Sequence, residues 1–213
     1  MLYNREIAAK TAGYLLQIKA IKLNNAKPYS WASGWKAPIY CDNRKTLSYP
    51  VIRTYLRQEM SKVIQDVYGE VDVIAGVATG GIALGALVAQ DLGKPFAYVR
   101  SSGKTHGLEN KVEGVVESGQ SVVVVEDLIS TGNSSLNAVK ALRKEGCKVK
   151  GMIAIFSYNF KQATDNFTKE KCDLYTLSDY NVLLEQAIES EYIKQKDLEP
   201  LNEWRKSPDT WGQ

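Results

Sequence analysis

Cysteine, histidine and unbalanced charge are all scarce in this chain. Cys41, Cys147 and Cys172 are the only cysteines among 213 residues, and they lie far apart. No pair has the spacing of metal ligands or of a redox motif. An odd number of scattered thiols fits burial in a reducing compartment. His106 is the single histidine. Lysine and arginine number 27 against 24 acids, a net charge of +3, and the two signs alternate along most of the chain. A nucleic-acid binder gathers its basic residues into a patch, so nucleic acid is not an expected partner. The start, Met1 to Glu6, has no basic-then-apolar leader, which makes the cytoplasm the expected location. Internal repeats and low-complexity segments are missing as well.

One run imitates a membrane span. Val73 to Gln90 carries no charge and is long enough on paper to cross a bilayer. Gly76, Gly80, Gly81 and Gly85 interrupt it, and Asp72 and Asp91 flank it. A strand, a glycine turn and a buried helix account for it better, so no membrane partner is expected.

What is present is ordinary globular composition, 44% apolar and 24% charged, in a chain long enough for one well-buried domain with appendages. Residues 6–23 place apolar side chains at helical spacing, ended by Asn24 and Asn25. A polar, aromatic stretch from Tyr29 to Tyr40 reads as extended loop, and Pro50 opens a second helix reaching about Tyr68. From Val71 strands and helices alternate. Strands are expected at 71–75, 96–99, 122–125, 149–156 and 174–177, with 112–116 as a hairpin arm. Helices are expected at 81–92, 134–145, 159–167 and 181–189, and the charged tail from Tyr192 reads as a surface helix. This alternation predicts an α/β fold: a central, mainly parallel sheet with helices on both faces. The expected organisation is a helix and small hood over 1–48, an α/β core over 49–190 and a surface tail over 191–213. Ligands of such sheets bind where strand C-termini meet helix N-termini. Here that means after Val99, Val125 and Phe156, and at Thr79, Gly80 and Gly81.

The run from Val122 to Ser134 carries the most chemistry. Four valines form a strand buried on both faces, which delivers Glu126 and Asp127 to its exit. Leu128, Ile129, Ser130, Thr131, Gly132, Asn133 and Ser134 follow and lead into a helix. Small hydroxyl residues at a helix N-terminus favour an anion. Adjacent carboxylates would repel a phosphate and instead suit hydroxyl groups or a metal. The expected ligand therefore has a phosphate at one end and a sugar diol beside it, as in ribose 5-phosphate. A P-loop is excluded because no Gly-Lys-Ser/Thr follows. A second segment, Arg100 to Gly107, leaves a strand with Arg100, Lys104 and His106 within seven residues, a set suited to a polyanion such as diphosphate.

The valine-to-serine run resembles the fingerprint by which type I phosphoribosyltransferases bind 5-phosphoribosyl 1-diphosphate (PRPP). The resemblance implies that Glu126 and Asp127 take the ribose diol and that Ser130 to Ser134 take the 5-phosphate. Thr79, Gly80 and Gly81 resemble the diphosphate-binding loop, where the backbone must approach the ligand closely. The segment with Arg100, Lys104 and His106 is similar to the catalytic lid of the orotate phosphoribosyltransferases, which implies a homodimer whose lid reaches the neighbouring site. Ser33, Gly34, Lys36 and Pro38 resemble that family's base-binding hood, with Tyr40 to stack on a pyrimidine and Lys36 to face a carboxylate. The implied orotate contacts are Lys36, Tyr40, Arg44, Ser130 and Tyr158. The implied cofactor is Mg²⁺, held mainly through PRPP near Glu126 and Asp127. Three positions depart from the family pattern: Ala32 and Ser101 replace lysines, and Tyr158 replaces a base-gripping arginine.

Purine or uracil phosphoribosyltransferases would keep the fingerprint and lack the hood segment. A PRPP-sensing regulator would carry an added basic domain or lose Lys104 and His106. The expected reaction is transfer of the phosphoribosyl group from PRPP to orotate, giving orotidine 5′-monophosphate and diphosphate for UMP synthesis.

Overall fold

The structure, a computed structural model, describes residues 1–31, 33–100 and 111–212. Helix α1 (Arg5–Gln17) begins at Asn4, whose side chain accepts from the Ile7 N–H at 3.0 Å. The helical periodicity of residues 6–23 overshoots. The helix ends at Ile18, Lys19 turns with φ +53°, and strand β1 (Ile21–Leu23) follows. Tertiary pairing overrides local propensity here, because β1 runs antiparallel to β4 (Ile39–Cys41). Between them β2 (Tyr29–Ser30) pairs with β3 (Lys36–Ala37). These two ribbons form the hood. A 3₁₀ turn (Asn43–Ser48) connects it to α2 (Pro50–Val63), which has its proline in the first turn.

The core then follows as β5 (Val73–Val77), α3 (Gly80–Leu92), β6 (Phe96–Val99), β7 (Val112–Glu113) and β8 (Ser121–Ile129). It continues through α4 (Asn133–Lys144), β9 (Lys148–Ser157), α5 (Lys161–Lys169), β10 (Leu174–Asp179) and α6 (Tyr180–Glu189), and α7 (Leu198–Lys206) ends the helices. The uncharged run from Val73 is thus β5, a turn and α3, and among the described residues no helix is long and apolar enough to cross a membrane.

Six strands make one sheet in the order β10-β9-β8-β5-β6-β7, parallel throughout except for β7. The valines of β8 show how it is covered. Val123 and Val125 pack into one cluster with α1, α2, α3 and α6, while Val122 and Val124 pack into the other with α4 and α5. All four are fully buried. This is the period-two alternation of a strand with helices on both faces.

The tail is not a surface helix. Leu201 and Trp204 of α7 are fully buried. The Trp204 ring lies 5.4–5.7 Å from those of Trp31, Tyr158, Phe160 and Tyr180. Charged residues such as Glu203 and Lys206 occupy its other side. An average over a segment hides a face that buries only two side chains.

Candidate functional site

The chain leaves β5 towards β6 on one side and later leaves β8 towards β9 on the other. The connections diverge between β5 and β8, and a crevice opens outside their C-terminal ends. The cleft there is about 430 Å³. It is lined by Ala78, Thr79 and Gly80 after β5, by Glu126, Asp127, Leu128 and Ser130–Ser135 along and after β8, and by Cys41, Asp42 and Arg44 from the hood. A larger cavity of about 710 Å³ lies between α5 and the edge strand β10, but it contains none of the expected site residues.

At one end the loop after β8 prepares an anion site. Gly132 is the N-cap of α4 with φ +80°, and no side chain caps the helix. A Cβ there would lie 2.8 Å from the Phe167 ring, so both conformation and space require glycine. The first amides of α4 are left for a ligand, with no acid in the first turn to repel it. From behind, Asn166 Nδ2 donates to the Thr131 carbonyl at 2.9 Å and to Asn133 Oδ1 at 3.0 Å, bracing the loop.

The acids sit inside the strand, not beyond its exit: β8 continues to Ile129. Glu126 is 5% exposed. Its Oε1 accepts from the Asp127 N–H at 2.9 Å and its Oε2 from the Ser135 hydroxyl at 2.8 Å. Burial, and then the negative charge of Asp127, push the Glu126 carboxyl well above its ordinary value. Asp127 faces Gly80, where a Cβ would fall 2.2 Å from its Cγ. Gly81 is equally tight, with a Cβ position 2.4 Å from the Val125 carbonyl oxygen, so α3 packs against β8 backbone to backbone. The Ala78–Thr79 peptide is cis.

The hood closes the other side. Arg44 Nε donates to Asp42 Oδ1 at 2.7 Å, which holds the Asp42 carboxyl below its ordinary value. Cys41 Sγ–H donates to Asn43 Oδ1 at 3.1 Å. Burial, with Asp127 next, pushes the Cys41 thiol well up, which makes it a poor nucleophile.

The cleft therefore brings together Arg44, Thr79, Gly80, Glu126, Asp127, Leu128 and Ser130–Ser134 of the expected residues. Others lie elsewhere. Gly81 and Ile129 pack behind the lining, Ile129 fully buried. Lys36 is exposed on the hood, its Nζ donating to Ser30 Oγ at 3.0 Å. Tyr40 is 39% exposed with its ring 5.7 Å from that of Tyr29. Tyr158 is 2% exposed within the aromatic cluster and does not line the cleft. Its ring packs within this cluster, 5.0 Å from that of Trp31 and 5.4 Å from that of Phe160. Arg100 pairs with Glu113 at 3.3 Å and does not line the cleft. Its main-chain N–H bonds the Lys111 carbonyl at 2.8 Å, joining the two ends of segment 101–110. Lys104 and His106 lie outside the described residues.

Periodicity did not single out Cys41, Asp42, Asn43, Ala78 or Ser135. Ser135 had a signal: with Ala138 and Leu142 it sits at i, i+3 and i+7 on the buried face of α4. A hydroxyl on an apolar face needs a partner, and here that partner is Glu126.

A profile of the phosphoribosyl transferase domain matches residues 51–183. The chain is 57% identical to the orotate phosphoribosyltransferase of Porphyromonas gingivalis, covering 94% of this chain and 96% of that one. It superposes on the crystal structure of orotate phosphoribosyltransferase from Aeropyrum pernix with a TM-score of 0.71 and 26% identity, over 83% of this chain and 98% of that one. Leishmania donovani UMP synthase shares the fold, with a TM-score of 0.76 and 23% identity over 92% of this chain, which spans only 42% of that longer protein. With the fold, the cleft and these relatives in agreement, the chain belongs to the orotate phosphoribosyltransferases.

Proposed function

We propose that the chain transfers the 5-phosphoribosyl group of PRPP to orotate, releasing diphosphate and forming orotidine 5′-monophosphate for UMP synthesis. The observation that carries this is one cleft in which Glu126 and Asp127 sit beside the uncapped N-terminus of α4, under a hood that contributes Arg44. The 5-phosphate takes the α4 amides and the hydroxyls of Ser130, Thr131 and Ser134. The ribose diol takes Asp127 and Glu126. The diphosphate lies towards Thr79 and Gly80. The orotate carboxylate pairs with Arg44, the one cationic side chain lining the cleft among the described residues.

Substitution breaks the bond from ribose C1 to the diphosphate oxygen and forms one to a ring nitrogen of orotate, whose N–H proton is released to solvent. Positive charge builds on the sugar and negative charge on the leaving group. The acidic pair faces the sugar and stabilises the first. Burial favours the protonated form of Glu126, which can still hydrogen-bond a ribose hydroxyl. Arg100, Lys104 and His106 answer the second, from a lid that reaches the neighbouring site of a homodimer. Lys104 or His106 donates a proton to the diphosphate where one is needed.

The cleft suits a hard cation that arrives with its substrate. Glu126, Asp127 and neighbouring hydroxyls offer oxygen donors, and among the described residues no cluster of three or more His, Cys, Asp or Glu forms a metal cage of its own. Glu126 and Asp127 would lie nearest a bound Mg²⁺, which would supply positive charge to offset that of the diphosphate. The three scattered free cysteines support a cytoplasmic location.

The test is diphosphate release from PRPP and Mg²⁺ with orotate, uracil, adenine or hypoxanthine offered separately. Turnover is expected with orotate. Its absence, or faster turnover with a purine, would sink the assignment.

A further inference from the structure

Beyond Val125, β8 loses a neighbour. The β5–β8 register ends with Gly76 opposite Val125, whereas the β8–β9 register continues to Ile129 opposite Ser157. In a parallel strand the N–H and C=O of one residue point to the same side, and successive residues alternate. The Gln120 carbonyl accepts from Lys148 of β9 at 2.8 Å and the Ser121 carbonyl from Asp72, beside β5, at 3.0 Å, so by alternation Asp127 directs both groups towards the space that β5 has vacated. A main-chain pair left there without partners would be costly. Side chains supply both. The Asp127 N–H donates to Glu126 Oε1 at 2.9 Å, and the Asp127 carbonyl accepts from Asn43 Nδ2 at 2.7 Å.

Asn43 comes from the hood side, 84 residues away in sequence, and is 1% exposed. Its amide is used at both ends. Nδ2 holds Asp127, and Oδ1 accepts the Cys41 thiol at 3.1 Å. Its own carbonyl accepts from Thr46 Oγ at 2.6 Å, which fixes the turn that carries it. Next to Cys41 in the fold is Tyr158, whose ring packs against those of Trp31 and Trp204. One buried amide therefore ties the hood, on the base side, to the backbone of the residue that carries the ribose-facing carboxylate.

We propose that Asn43 is a positioning residue that replaces the missing strand partner of Asp127 and thereby sets the grip on the ribose diol. This rests on the reading of the cleft as a PRPP site. Asn43 contacts no reacting atom in that reading, and it acts through the main chain of Asp127. Diphosphate, held towards Thr79 and Gly80, does not depend on it.

The experiment uses the full chain with Asn43→Leu, which removes the donor at similar volume, and Asn43→Asp, which keeps the shape and replaces the donor by oxygen. Binding of PRPP with Mg²⁺, and of inorganic diphosphate with Mg²⁺, is measured by calorimetry for each variant that retains a cooperative melt. The expected result is PRPP binding weaker by roughly tenfold or more, as for a hydrogen bond lost at a buried carbonyl. Diphosphate binding should stay within about twofold of the parent, and KM for PRPP should rise more than KM for orotate. Unchanged PRPP binding in a folded variant would overturn the proposal. So would parallel loss of PRPP and diphosphate, the mark of general loosening. A parent protein that fails to bind PRPP would instead overturn the functional reading beneath it.

Discussion

Replacing Gly80 with alanine adds one methyl group where the loop after β5 meets the acidic end of β8. A Cβ at Gly80 would lie 2.2 Å from Cγ of Asp127 and 2.4 Å from each carboxylate oxygen. No atoms approach that closely, so the Asp127 side chain must swing away. The fold should tolerate this. Gly80 opens α3 without a positive φ, and alanine in a helix is favoured over glycine by about 0.5–1 kcal/mol. Leaving a rotamer minimum costs about 0.5–1.5 kcal/mol, so the two effects nearly cancel in stability. Binding has no such offset. A hydrogen bond to a charged group is worth about 1.5–3 kcal/mol, and the ribose loses its bond to Asp127 while Glu126 stays in place. That corresponds to roughly ten- to hundredfold weaker PRPP binding. Calorimetric titration with PRPP at fixed Mg²⁺, beside a thermal melt, separates the two quantities. An unshifted melt with PRPP affinity within about threefold of the parent would refute the placement of the ribose at Asp127.

Three further perturbations probe other parts of the molecule. Trp204→Ala should lower unfolding stability in urea by about 3–5 kcal/mol, as for a fully buried aromatic residue, and a loss below about 1 kcal/mol would mean that α7 is no part of the core. Glu126 binds a proton in the folded state that the unfolded chain releases in the ordinary carboxylate range, so it costs the parent stability as pH rises towards its raised folded value. Glu126→Gln lacks that proton uptake and should gain on the parent through this window, and a pH-independent difference would contradict the burial argument. Lys104→Ala should lower turnover far more than it weakens orotate binding, and an unchanged rate would remove the lid from the mechanism.

Much of the core was legible because one physical rule repeated. The inner strands of the sheet are apolar runs ended by glycine, proline or polar residues, and most helices are amphipathic stretches of ordinary length. The hood was not legible in the same way. Its strands are two or three residues long and paired only with each other, so neither alternation nor propensity accumulates enough signal over them. Residues 21–23 look helical in isolation because apolar residues at Ile18 and Ile21 continue the spacing of α1. Pairing with β4 decides otherwise.

The candidate site divides along the same line. Residues that bind by backbone and sequence order, such as Gly132 at the α4 N-cap or Gly80 against Asp127, leave a local trace, since few other residues fit a positive φ or a 2.2 Å approach. Residues that bind by side-chain reach leave none. Lys36, Tyr40 and Arg44 are base contacts the resemblance implies, Tyr40 for stacking and Lys36 for a carboxylate, and their placement depends on the turn after β4. It carries Arg44 over the cleft, while β3 turns Lys36 towards Ser30 and β4 sets Tyr40 beside Tyr29. Tyr158 follows the same logic in reverse. Its place after β9 predicts a ligand contact, but its ring packs among those of Trp31, Phe160 and Trp204. In the reading proposed above, a cation for the orotate carboxylate would then come from Arg44, which lines the cleft, and not from position 158.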